Sequence, residues 1–184
     1  MKVYVLGALT LLTACGDDKQ LPPDAGPCWP LKSVPGGQVE LGTGDLTFMP
    51  MPAMLSIVRD GTQSDPFLRV QSRIRGMPPG NSRDFLDPSN PKTKIGLVID
   101  ALVIDGLPFS VALECPASVG YVPSPEAGAF DMVRSLRLGF GPTMLDQIDG
   151  KSARITIEVV GSNGLYATDE KTVVLSAPPL MTTP

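Results

Sequence analysis

Cysteine, methionine and carboxylate side chains are the groups in this sequence that could do chemistry, and their spacing limits what that chemistry can be. The 184 residues include three cysteines, Cys15, Cys28 and Cys115, and no histidine. The thiolate is a strong, soft nucleophile, so Cys15, at the end of an apolar run, is the first candidate for covalent modification. Without histidine there is no Ser-His-Asp or Cys-His apparatus and no histidine-based zinc site. Cys28 and Cys115 offer two thiolates, too few for a structural zinc tetrahedron. No G-x-S-x-G elbow, phosphate loop or dinucleotide fingerprint occurs. The expectation is a protein that is not an enzyme and carries no cofactor.

Four weaker constellations remain. Met49-Pro50-Met51-Pro52-Ala53-Met54 places thioethers where they could hold Cu(I), a soft ion, and the segment resembles methionine motifs of copper-handling periplasmic proteins. Packing in a core or at a sheet edge is the default for methionine, and metal binding through Met49, Met51 and Met54 is the alternative function. Asp84, Asp87 and Asn90, three residues apart, could offer oxygens to Ca²⁺, but they lack the D-x-D-x-D-G pattern and suit turns equally well. Asp100, Asp105 and Glu114 could serve carboxylate catalysis, yet they fit solvent-facing and turn positions. Arg69, Arg73 and Arg75 share one strand face, where cross-strand pairing with acids is favoured over a patch for an acidic partner.

Cys15 gains meaning from what precedes it. Met1-Lys2 is followed by an apolar run from Val3 to Leu12, about 15 Å as a helix and half a bilayer's hydrocarbon thickness. This is the length of a secretory signal, not of a membrane span. The closing residues Leu12-Thr13-Ala14-Cys15 resemble the bacterial lipobox. That resemblance implies cleavage of residues 1–14 and attachment of lipid to Cys15, with acyl chains of the palmitate kind; two or more chains are needed for stable membrane residence. It also implies a place in the cell envelope. Gly16, rather than aspartate, directly follows the cysteine, so by the same resemblance the outer membrane is expected.

The formal net charge is −4 and becomes −5 once Lys2 is lost, which argues against nucleic acid as a partner. In an oxidising compartment the remaining Cys28 and Cys115 form an even pair. A bridge across those 87 residues would stabilise the fold by about 4–5 kcal/mol in the chain-entropy model.

The elements that would position these groups are mostly strands. Residues 15–37 are rich in proline and charge, as in a semi-rigid tether. From Gln38 the pattern has period two. Ile155, Ile157 and Val159 alternate with Arg154, Thr156 and Glu158, and Ser162-Asn163-Gly164 leads to a partner strand, Leu165 to Leu175. Leu68, Val70 and Ile74 alternate with arginines, and Asp105-Gly106 joins Ile95–Ile104 to Leu107–Leu113 in a second hairpin. Val39–Leu41, Leu46–Met49, Leu55–Val58 and Leu136–Phe140 are further candidates. Residues 76–94 and 116–131 read as long loops. In the second, Ser124-Pro125-Glu126 suits the start of a helix running toward Arg134, and Thr143–Ile148 suits one helical turn.

Seven to nine short strands in one domain, residues 38–177 with a tail at 178–184, predict an all-β, two-sheet antiparallel sandwich. Asp149 to Leu175 resembles the last two strands of bacterial immunoglobulin-like or fibronectin-III-like domains. Val39 to Phe48 resembles the opening of Ig-like lipoproteins of Gram-negative bacteria. These resemblances imply a fold and a location, without an Ig-type core disulfide or strand-centre tryptophan. The expected function is a lipid-anchored, non-catalytic interaction or structural module with a protein partner in the envelope.

Overall fold

A computed structural model describes residues 34–59, 65–113 and 115–177. The first strands are β1 (Val34–Pro35), β2 (Gln38–Thr43), β3 (Met49–Pro50), β4 (Met54–Ser56), β5 (Phe67–Arg75), β6 (Lys92–Ile104) and β7 (Leu107–Ala112). They are followed by β8 (Ala117–Ser118), β9 (Tyr121–Pro123), β10 (Ala129–Met132) and β11 (Leu136–Gly139). A 3-10 turn at Pro142–Met144 and a one-turn helix, α1 (Leu145–Ile148), precede β12 (Ser152–Val160) and β13 (Leu165–Ser176).

Two sheets form, as in a sandwich. The first runs β1-β13-β12-β6-β7, with β4 added to β13 and β8 to β6; the second runs β3-β2-β5-β10-β9, with β11 added to β5. In β5, β12 and the first half of β6, period-two patterning aims apolar residues at the facing sheet. Ala153, Ile155, Ile157 and Val159 of β12 are buried, as are Ile95, Leu97 and Ile99 of β6. Leu68, Val70 and Ile74 of β5 meet them from the other side.

One polar group crosses this core. The Tyr121 hydroxyl lies 2.8 Å from Ser72 Oγ on β5 and 3.4 Å from Thr93 Oγ1 on β6, so it links the two sheets. Buried hydroxyls that partner one another avoid the cost of lost hydration. Burial pushes the Tyr121 pKa above its ordinary value.

The N-terminal segment changes sheet repeatedly. β1 lies parallel to β13 at Leu165, β2 and β3 belong to the second sheet, and β4 returns to lie parallel to β13 at Val174–Ser176. Between those contacts, the Leu41 backbone N–H donates to Asp169 Oδ2 on β13 at 2.8 Å. The pairing of Val34 and Pro35 with Leu165 and Tyr166 extends the fold into residues that sequence pattern assigns to the tether.

The expected helix after Ser124 is replaced by a hairpin. Ser124 Oγ accepts the Glu126 N–H, but Gly128 then adopts φ +75° and reverses the chain into β10. β10 pairs with β5 on one side and β9 on the other, so its backbone groups are satisfied by neighbours instead of by a helix.

Asp169→Ala should destabilise the domain by about 1–3 kcal/mol in urea titration, since it leaves the buried Leu41 N–H without its acceptor. The exposed neighbour Glu170→Ala should change stability by less than about 0.5 kcal/mol.

Candidate functional site

Cys15 and Cys28 lie outside the described residues, as does Glu114, so of these expected groups the structure places only Cys115, exposed between β7 and β8.

The methionine cluster spans the crossing from one sheet to the other. Met49 pairs with Thr43 in the second sheet and Met54 with Val174 in the first. Both are exposed, while Met51 is half-buried against the core, which supports a packing role for it. Among the described residues, no group of three or more Cys, Asp or Glu side chains is arranged to hold a metal. Asp100 is solvent-facing, 3.7 Å from Arg154, and Asp105 occupies the β6–β7 turn.

The three-residue spacing of Asp84, Asp87 and Asn90 begins one step earlier, at Asn81. Backbone N–H groups of Asp84, Asp87 and Asn90 each donate to the carbonyl three residues back. The side chains of Asn81, Asp84 and Asp87 each accept from the N–H two residues on. The loop is therefore a run of successive Asx turns. Buried Asn90 locks it, accepting from Asn81 N–H at 2.6 Å and donating to the Asp84 carbonyl at 2.6 Å. Asp87 also accepts from the Ser89 hydroxyl and the Asn81 amide, and these bonds hold its carboxyl below the usual range. Five of the six side-chain oxygens of Asn81, Asp84, Asp87 and Asn90 already accept hydrogen bonds within the loop.

The β5 arginines are engaged in the same way. Arg73 makes a forked contact with Asp131, at 2.6 and 3.2 Å, and reaches Glu126 at 2.7 Å. Arg75 bonds Glu126 from the other side and lies 3.6 Å from Glu40. Arg69 meets Asp45 at 2.9 Å. Arg73 also stacks on Phe48, 4.3 Å from the ring centre. The hydrogen bond with Asp131 raises the Arg73 pKa despite some desolvation. The hydrogen bond from Arg75, followed by the charges of Arg75 and Arg73, holds the Glu126 carboxyl below its ordinary value. Cross-strand pairing on a solvated face, the arrangement favoured from sequence, is what the structure contains.

Sequence reasoning missed the Ser72–Tyr121–Thr93 group and Asp169. Nothing in either residue's local pattern marks it, because each acts on a partner far along the chain. The Asp84–Asn90 spacing was a visible signal that fitted two chemistries. Neither a protein-family model nor a curated protein matches this chain.

Asn90→Ala should cost about 2–3 kcal/mol, because it removes both hydrogen bonds made by a buried side chain. Millimolar Ca²⁺ should leave the melting temperature of the unaltered protein unchanged; a rise would restore calcium to the loop. Glu126 and Asp87 have folded-state pKa values below their unfolded ones, so their contribution is present above the unfolded pKa and is lost as pH falls through the folded one. Denaturant titrations across the carboxylate range should therefore show a smaller acid-side loss for Glu126→Gln than for the unaltered chain.

Proposed function

We propose that this chain is a lipid-anchored envelope protein whose domain is an immunoglobulin-like sandwich acting as a non-catalytic interaction or structural module. The observation that carries the non-catalytic reading is how the polar groups are used. The arginine cluster, the Asx loop and Asp169 are all bound into the fold, with their hydrogen-bonding capacity directed at protein partners.

Strand order supports the Ig-like reading. β2, β5, β10 and β9 stand in the order of the A, B, E and D strands of such domains, and β13, β12, β6 and β7 in that of G, F, C and C′. β4 lies parallel to the last strand, as a first strand that switches sheets would. The anchor rests on the lipobox resemblance at Leu12–Cys15. The disulfide-bonded state of Cys115 supports a bridge to Cys28, which would fasten the tether to the end of β7.

Intact-mass analysis of detergent-extracted protein tests the anchor. The expected species begins at Cys15 and carries added acyl mass, and Cys15→Ser should release the protein from the membrane fraction. An unmodified Cys15 on an uncleaved N-terminus would refute the reading. A non-reducing peptide map should join Cys28 to Cys115, and density fractionation should place the acylated form with outer membranes.

A further inference from the structure

The first sheet has an overhang. β12 begins at Ser152, level with Asp100, so among the described residues β6 beyond that point is paired with no strand on that side. The β6–β7 hairpin continues past the body of the sandwich. Three extra residues bulge between Ile99 and Val103, after which Val103 pairs with Pro108 and Ile104 with Leu107. Asp105 and Gly106 both have positive φ, 51° and 81°, the signature of a tight type I′ turn that matches strand twist and holds the tip in one shape.

That tip is apolar where solvent would favour polar groups. Val103 is 60% exposed, Ile104 40% and Leu107 70%. From Asp100 to Ala112 the hairpin carries two acids, Asp100, which lies 3.7 Å from Arg154 of β12, and Asp105 at the turn, and no basic residue of its own. Clustered exposed apolar side chains on a preorganised support mark a binding surface.

Charge and position select the occupant. A second copy meeting tip to tip would set aspartate against aspartate, and an anionic lipid surface would be repelled by the same groups. The tip also lies at the end of the first sheet opposite Val34, because the register runs Val34–Leu165, Tyr166–Val160, Val160–Lys92 and then along β6. We propose that the β6–β7 tip docks into a protein partner whose apolar pocket is rimmed by lysine or arginine, with Val103, Ile104 and Leu107 as the inserted side chains. This deepens the interaction-module reading by naming its surface and the partner's chemistry, and it does not depend on the lipid anchor.

A photoreactive phenylalanine analogue at Leu107 of the full chain, in its host cells, tests the surface, with the same group at exposed Thr172 as control. The expected result is one discrete protein adduct from position 107 and none from 172. Asp100→Lys should lower its yield roughly three- to tenfold, through loss of a rim charge. Thermal unfolding of that variant should shift only slightly, because the Asp100–Arg154 pair it breaks is exposed, and Asp100→Asn should give an intermediate yield. An adduct with a second copy, an adduct with lipid, flotation of purified protein with phosphatidylglycerol vesicles, equal labelling at both positions, or a yield indifferent to Asp100→Lys would each overturn the proposal. Retained membrane anchoring alongside any of these outcomes separates failure of the docking surface from failure of the anchor.

Discussion

The last strand has an edge that must be covered, and much of the N-terminal third of the fold is arranged around that requirement. β13 is paired from Tyr166 to Val174 with β12, but its other side presents N–H and C=O groups that cost free energy if buried unpaired. A single straight strand could cover it. Here the cover is discontinuous, with β1 at one end and β4 at the other; between them the Asp169 carboxylate accepts the Leu41 N–H of β2. Because β2 is at the same time paired with β5, closing this edge also fixes how the two sheets face each other. The Tyr121 hydroxyl performs a similar task inside, tying β5 to β6 with a bond that has direction where apolar packing has little.

The surface follows from the same economy of polar groups. Arginines on β5 would repel one another if left in a row. Instead, Asp131 and Glu126 from the β9–β10 hairpin and Glu40 from β2 are placed between them, so charge pairing runs in step with strand pairing. The Asx loop repeats the principle in the backbone: short polar side chains satisfy N–H groups that no strand reaches. Side chains that look reactive in isolation are thus committed to holding shape.

Much of this fold could be read from the sequence because period-two alternation and positive-φ turns are local signals. The Arg154–Val160 strand, its partner beyond Ser162-Asn163-Gly164, and the Asp105-Gly106 hairpin all appear where pattern put them. The β9–β10 hairpin was misread as a helix start because Ser124 followed by proline and glutamate serves a turn and a helix N-terminus equally well. What decided it was the vacant side of β5, which is not a local property. The repeated sheet switching of residues 34–56 was hidden for the same reason, and Asp169 lies 128 residues from the backbone group it serves. The candidate site was least legible. Arginine spacing showed a shared face but not which acids fill it, and the Asp84–Asn90 spacing fitted turns and calcium alike, with Asn81 unnoticed.

The parallel seating of β1 and β4 on β13 has a mechanical consequence. The chain enters the described fold beside Leu165, at the start of β13, and leaves after Ser176, at its end, about 40 Å away for twelve extended residues. A pull applied between those two points runs along the strands. It would load the hydrogen bonds at both seats in shear, several at once, instead of peeling them one by one. The same discontinuous cover that closes an edge would therefore act as a brake against extension, and a chain held at one end and engaged at the other would transmit tension through its strongest direction.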